Sequence, residues 1–282
     1  MKLTILGSGS PEAYERRASS GYLIEVGSDR ILFDCGGGVF DNLLRSQRFP
    51  SFITHVVFSH LHSDHMMDYA RLVHASWDEG GKPIKVFGPP PIKTITEGYF
   101  GSDGVLAHDL RARTELPQSQ EVWRSRGGVM PRPWPAPEVE EIIPGDTIEG
   151  NGWRIQSCNA PHAQPFLECM AFALTHQGKK FVYSGDAGLC SEIETLAKNA
   201  NLLLHWCYRL DGEVVSPEMA SAAPTPMEIG EMAKRAGVRS LILTHFRKHM
   251  DDPAHHDNAI KKASDAFGKT IAIAEDLQQI EI

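Results

Sequence analysis

Over the first sixty residues the apolar positions come in short runs, at 3–6, 22–26, 30–33 and 54–58, separated by glycine-rich turns. Runs of this length bounded by glycine read as β-strands. A turn at 34–38 leads into a helical stretch over 39–46, and a second helix is expected from just after His65 to about Trp77. Strand patterns return at 139–143, 153–158, 170–176 and 180–183, after which helix and strand alternate to the end. Thr225-Pro226-Met227-Glu228 forms a capping box with proline at the first helical position. Ile229, Met232, Ala233 and Ala236 follow at helical spacing, and Gly237 closes that helix. The next strand, 240–244, carries His245 at its C-terminal end. Residues 88–137 differ: Pro89–Pro91 at one end, Pro-Arg-Pro-Trp-Pro-Ala-Pro at 131–137 at the other and scattered glycines between predict an excursion with little helix or sheet. The shared rhythm of the two halves predicts an α/β fold with two sheets, each covered by helices.

Composition narrows the function classes. The chain has 282 residues and 41% hydrophobic content, and 28 Lys+Arg against 36 Asp+Glu give a net charge of −8. That is ordinary globular composition, and it offers no general attraction for nucleic acid or anionic lipid. No apolar run approaches the length of a membrane span, and the run at 3–6 is too short for a signal-peptide core. A cytoplasmic protein with no membrane partner is therefore expected. Cys35, Cys158, Cys169, Cys190 and Cys207 are odd in number and contain no CxxC pair, so they read as small buried apolar residues. The 13 histidines stand out, because imidazole serves in proton transfer and metal ligation.

The segment Ser59-His60-Leu61-His62-Ser63-Asp64-His65 directly follows the fourth apolar run. Three histidines and an aspartate so close together do not suit a core. On an extended turn His60 and His62 project to one side, while Asp64 and His65, at the mouth of the next helix, can face a second point. Hydrolytic binuclear sites hold their ions about 3.5–4 Å apart. Imidazole and carboxylate without thiolate suit two Zn2+ first, with Mn2+ or Fe2+ as alternatives. Further ligands are expected at other strand ends: His162 in Asn159-Ala160-Pro161-His162, Asp186 in Ser184-Gly185-Asp186 and His245 in Thr244-His245-Phe246. Each sits just after an apolar run, where a rigid scaffold holds loop residues in place. His55, His74, His108, His176, His205, His255 and His256 read as structural or solvated, and His249, on the loop of His245, as the exception.

HLHSDH, APH, SGD and LTHF in that order, with LGSGSP at the N-terminus and FDCGGG before the first motif, resemble the metallo-β-lactamase superfamily, in particular its ribonuclease Z and arylsulfatase-like hydrolases. The resemblance covers nearly all of 1–282 except 92–137 and implies one αββα sandwich domain with metals at one edge. It implies one ion on His60, His62 and His162, another on Asp64, His65 and His245, Asp186 bridging them, and Asp34 orienting a ligand. A metal-activated hydroxide would attack the substrate, with Asp64 moving a proton to the leaving group. His62, where diiron flavoprotein relatives carry a carboxylate, points to zinc hydrolysis, and the full set of seven ligands speaks against a non-catalytic member.

The departures from the family concern the substrate. Ribonuclease Z has His-Glu where this chain has His205-Trp206, and a further His before a Thr-Pro where this chain has Ala223. Neither Trp206 nor Ala223 can transfer a proton, so tRNA 3′ processing is not expected, nor is a nucleic-acid partner. Trp206 and Tyr208 bring aromatic bulk toward the site. The expected substrate is a small ester, lactone or amide with an aromatic part, with a small phosphodiester or arylsulfate as the alternative. Residues 92–137, with Trp123 and Trp134 and the arginines 111, 113, 124, 126 and 132, are expected to cover the site as a lid or to join a homodimer.

Overall fold

A computed structural model describes residues 1–282. Two seven-stranded sheets face each other. The first contains β1 (Lys2–Gly7), β2 (Gly21–Val26), β3 (Asp29–Phe33), β4 (His55–Val57), β5 (Lys85–Gly88) and β6 (Glu138–Glu141). The second contains β7 (Thr147–Glu149), β8 (Trp153–Asn159), β9 (Met170–His176), β10 (Lys179–Tyr183), β11 (Leu202–Trp206), β12 (Ser240–Thr244) and β13 (Ala272–Ile273). The last strand, β14 (Gln279–Glu281), returns to pair with β1 in the first sheet. The orders are β14-β1-β2-β3-β4-β5-β6 and β13-β12-β11-β10-β9-β8-β7. Each sheet is antiparallel on one side and parallel on the other, from β3 to β6 and from β10 to β13. The central parallel strands β11 and β12 are buried along nearly their whole length, which is why they read as apolar runs, whereas the edge strand β6 is largely exposed.

Aromatic rings close the space between the sheets. Tyr22 meets Tyr183 with centroids 4.8 Å apart, and Phe33 meets Phe172 at 5.8 Å and Phe181 at 6.0 Å. Outside the first sheet lie α1 (Val39–Arg45), α2 (Ser63–Met66), α3 (Tyr69–Asp78), α4 (Ile92–Phe100), α5 (Ala107–Glu115) and α6 (Pro117–Ser125). Outside the second lie α7 (Ser191–Leu196), α8 (Pro217–Ala222), α9 (Pro226–Arg235) and α10 (Pro253–Phe267). This is the expected αββα sandwich. The capping box is present: the Thr225 hydroxyl accepts from the Glu228 amide, and the Glu228 carboxylate accepts from the Thr225 amide.

Two expectations are corrected. Residues 88–137 are not irregular, because they hold the three helices α4–α6. They form the crossover between the parallel strands β5 and β6, a connection that has to carry the chain back along the sheet. The helix expected from His65 to Trp77 is broken into α2 and α3. Asp68, at the break, accepts hydrogen bonds from the Gly38 and Phe40 amides at 2.8 and 2.9 Å and so caps α1 across the fold.

Candidate metal centre

The chemistry-bearing residues lie beyond the C-terminal ends of strands: Asp34 after β3, the His60–His65 segment after β4, His162 after β8, Asp186 after β10 and His245 after β12. Two glycines make the convergence sterically possible. A Cβ on Gly36 would lie 2.0 Å from the Asp64 carbonyl oxygen, so only glycine lets the 34–38 turn pass under α2. There the Cys35 amide donates to the His65 carbonyl at 2.7 Å. Gly185, at φ +58°, would put a Cβ 2.6 Å from the Met170 carbonyl oxygen, and its turn aims Asp186 inward. Asp34 and His245 also adopt the left-handed region, at φ +57° and +67°. Non-glycine residues held there cluster at functional sites.

Two donor groups result. His60, His62 and His162 form one, and Asp64, His65, Asp186 and His245 the other, with the ligand atoms of each group within 4.8 Å of one another. Asp186 Oδ2 lies 3.0 Å from His245 Nε2, 3.4 Å from His65 Nε2 and 3.9 Å from His162 Nε2, so it borders both groups. Asp64 Oδ2 is 3.1 Å from His245 Nε2. The first group is tied by a 2.9 Å approach of His60 Nε2 to His62 Nδ1.

Asp34, fully buried, sets the orientation. Its Oδ2 accepts from His65 Nδ1 at 2.8 Å, Ser59 Oγ at 2.8 Å and the Tyr183 hydroxyl at 2.7 Å, and its Oδ1 accepts from the Ser59 amide at 2.7 Å. With Nδ1 so engaged, His65 Nε2 faces the donor group, where it is buried with no hydrogen-bond partner. An imidazole nitrogen left bare among carboxylates, with its other nitrogen on an acid, is what a cation site requires of its ligands. Ser59 Oγ also lies 3.0 Å from His60 Nδ1. Nothing in the sequence singled out Ser59 or Tyr183 for this role.

Burial and the neighbouring charges act in opposite directions on these groups. Burial lowers the pKa of His65, but Asp186 and Asp34 outweigh it and raise the value well above normal. Burial likewise opposes protonation of His245, yet Asp186 and Asp64 bring its pKa up to about 9. Conversely, burial pushes the Asp186 carboxyl upward, and His245 and His65 overcome it to hold the carboxylate ionised. In the first group burial keeps His60 and His162 below the normal imidazole value, which favours the neutral form that ligates metals.

Beside these groups runs an aromatic wall. The buried Trp206 ring lies 5.4 Å from His162 and 6.1 Å from His245, and Tyr208 stacks on it at 5.6 Å with 13° between planes. The guanidinium of Arg247, which sequence reasoning missed, covers Tyr208 at 4.7 Å and pairs with Glu213. His249 is exposed and joins neither donor group; its ring faces His255 at 5.9 Å.

Trp123 and Trp134 are not brought to the centre. The Trp123 N–H donates to the Val129 carbonyl and the Trp134 N–H to that of Phe100, and Trp123 packs over Arg132 at the far end of α3. Three of the five arginines expected there are tied down the same way: Arg113, Arg126 and Arg132 all pair with Asp78. A crossover helix layer has its own apolar face to bury against α3, and the two tryptophans do that instead of covering the metal-ligand edge. A third acidic group, Asp251, His256 and Glu275, already encloses a cation. The buried Arg17 gives Asp251 two hydrogen bonds, at 2.6 and 2.7 Å, and Glu275 one at 2.8 Å.

With this geometry in hand, known proteins can be compared. The family model described as Beta-lactamase superfamily domain matches residues 29–246. Ribonuclease Z from Mycobacterium sp. (strain KMS) is 27% identical, covering 100% of this chain and 96% of that protein. Ribonuclease Z from Methanosarcina acetivorans is 25% identical, covering 100% and 98%. Among solved structures, the metallo-beta-lactamase fold protein YhfI from Bacillus subtilis superposes with a TM-score of 0.74 at 22% identity, covering 99% of both chains. Human tRNase Z, short form, gives 0.71 at 19% identity over 100% of this chain and 99% of that one. Zn(2+)-bound PqqB from Methylobacterium extorquens gives 0.67 at 12% identity over 100% of both.

Proposed function

Since the chain belongs to the beta-lactamase superfamily and is a metal-dependent hydrolase of that fold, we propose that it hydrolyses a small ester, lactone or amide bearing an aromatic part, with two divalent ions, zinc in the first place. The observation that carries the reading is Trp206. It stands against both His162 and His245, an indole that cannot transfer a proton at the position where the resemblance to ribonuclease Z calls for a donor. Ala223, the other position of that pair, is fully buried.

Bound at the two donor groups, divalent ions would supply Lewis acidity and lower the pKa of water toward neutrality. The chain's own residues do the rest. Asp34 and Ser59 fix the rings of His65 and His60, and Asp186, bordering both groups, would contribute a ligand to an ion held there. Trp206 and Tyr208 position a planar group beside the scissile bond, where orientation contributes to rate. Asp64, ionised because His245 and His65 outweigh the effect of burial, holds a proton acceptor at Oδ2 facing His245. Oδ2 would take a proton from the attacking water and pass it to the departing aryloxide or amine, leaving Asp64 ionised again.

A second reading, phosphodiester cleavage, is favoured by the ribonuclease Z names of the relatives. Assaying zinc-loaded protein against an aryl ester, an aryl amide, a bis-aryl phosphodiester, an aryl sulfate and precursor tRNA separates the two. The first reading expects the ester or amide to give the highest kcat/KM. Efficient release of a 3′ trailer from precursor tRNA, at rates matching the best small substrate, would overturn it.

A further inference from the structure

The histidines of the centre are oriented in two different ways. His65 has its Nδ1 on Asp34, and His60 has its Nδ1 3.0 Å from Ser59 Oγ, so each of these rings is set by a side-chain partner. His245 has none: its Nδ1 is buried and makes no hydrogen bond. Its backbone also stands in the left-handed region, at φ +67°, which a residue other than glycine keeps only where the surroundings over-determine it. The aim of His245 Nε2 at Asp64 and Asp186 therefore depends on what fixes the main chain around it.

The loop at residues 8–17, after β1, does the fixing. The Phe246 amide donates to the Ser8 carbonyl at 3.0 Å, and the Ser10 amide donates to the Phe246 carbonyl at 3.3 Å. The Lys248 amide donates to the Glu12 carboxylate at 2.6 Å. Arg17 closes the run. Beside its two bonds to Asp251 and one to Glu275, its Nη1 donates to Ser8 Oγ at 2.7 Å and to the Ala274 carbonyl, and its Cζ lies 5.7 Å from the Phe246 ring centre. All five N–H groups of the guanidinium thus have acceptors, and its planar fork joins the loop after β1, the loop after His245 and the turn after β13. Arg16 reaches Asp251 and Glu275 at 3.6 and 3.1 Å, but from a half-exposed position. None of these bonds involves His60, His62 or His162.

We propose that Arg17 is a positioning residue for His245: through Asp251 and the clamp on Phe246 it fixes by the main chain what Asp34 fixes for His65 by the ring. The proposal rests on the two-ion reading for its effect on metal, but not for the clamp itself. It expects damage confined to one donor group, whereas an ion pair that merely stabilised the fold would move both groups together or neither.

The test titrates zinc, in competition with a chelating indicator, into two variants. Asp251→Asn keeps the shape of the side chain but not its charge; Glu12→Ala removes an exposed carboxylate and leaves the buried network of Arg17 in place. His62→Ala and His245→Ala identify which binding step belongs to which donor group. Asp251→Asn should weaken the His245-dependent step about tenfold, and Glu12→Ala about threefold, with the His62-dependent step at its wild-type value in both. In metal-free protein the Phe246 amide should exchange with solvent faster in both variants, while the Cys35 amide, bonded to the His65 carbonyl, keeps its wild-type rate. Equal weakening of both steps, or of neither, overturns the proposal. So does a Phe246 amide that exchanges no faster than in the wild type, or a Cys35 amide accelerated as much. If the wild type binds fewer than two zinc ions per chain, the two-ion reading fails, and the exchange rates alone decide for or against the clamp.

Discussion

Two regions of this molecule are rich in tryptophan, arginine and aspartate, and they have opposite fates. In the crossover layer Arg132 lies between the rings of Trp77 and Trp123, 3.8 and 4.5 Å from their centres, and donates to Asp78 at 2.7 Å. Each indole N–H there has an acceptor: Pro133, Val129 and Phe100 carbonyls for Trp77, Trp123 and Trp134. Arg132 Nε and Ser76 Oγ are the buried polar atoms left without a partner there, whereas the metal edge gathers more, at the Trp206 N–H, His65 Nε2, His245 Nδ1, His205 Nε2 and Arg247 Nε. Buried polar groups are nearly always satisfied, so a concentration of exceptions identifies the place where something else is to be bound. Composition alone makes the two regions look equally functional; partnering separates them.

The sharpest way to break this comparison is to remove one carboxylate from each region. Asp186→Ala should lower bound zinc, measured by elemental analysis, and reduce turnover of the best substrate about a thousandfold, the several kcal/mol expected of a metal centre. Asp78→Ala should leave zinc content at its wild-type value. A smaller effect is expected one layer out. Asp34→Asn keeps shape but cannot hold His65 as the anion does, so metal affinity, read by competition with a chelator, should fall about 10- to 100-fold.

Next come the tryptophans. Trp206→Ala should raise KM for aromatic substrates several-fold, about 1 kcal/mol of lost ring contact. Trp123→Ala should leave KM alone and destabilise the fold by about 1–2 kcal/mol, seen in thermal unfolding. A change of substrate preference in Trp123→Ala would reinstate 92–137 as a cover for the centre.

The smallest effect concerns acid. Burial works against the Asp78 carboxylate, but hydrogen bonds from Arg132 and Arg126 outweigh it and hold its pKa below the ordinary 3.8. A carboxyl whose folded-state pKa is depressed contributes stability above its unfolded value and loses it as pH falls through the folded one. The unfolding temperatures of the wild type and Asp78→Asn should therefore differ at pH 6, by the equivalent of about 1 kcal/mol, and converge as the pH falls through the depressed folded-state value.

Much of this was legible from sequence because the strands are short, buried and bounded by glycine, and because the donors follow them directly. The pattern at 240–244 is a strand with its bounds intact, and the capping box at Thr225 is a local device that needs no knowledge of the fold. What was missed depends on distant partners. The break at Asp68 exists because amides thirty residues earlier in the chain need an acceptor. Ser59 and Tyr183 look like ordinary residues at strand ends until Asp34 arrives between them. The helices of 92–137 were hidden by their composition: α6 opens on Pro117, a legitimate first helical residue, yet none of its side chains is fully buried, so no apolar stripe announces it.

The origin of the seven donors has a further consequence. His60, His62, Asp64 and His65 are delivered by the first sheet, and His162, Asp186 and His245 by the second, so each donor group draws on both halves of the chain. An ion at either position is then a rivet between two layers whose sequences lie a hundred residues or more apart. Because only the docked arrangement offers a complete set of ligands, free metal adds to folding stability in proportion to RT ln(1 + [M]/Kd). Withdrawing it should loosen the seam at the mouth while the aromatic packing deeper between the sheets still holds. Occupancy thus certifies assembly: a chain whose halves have not met correctly cannot keep the ion, and so cannot act prematurely on anything that reaches it.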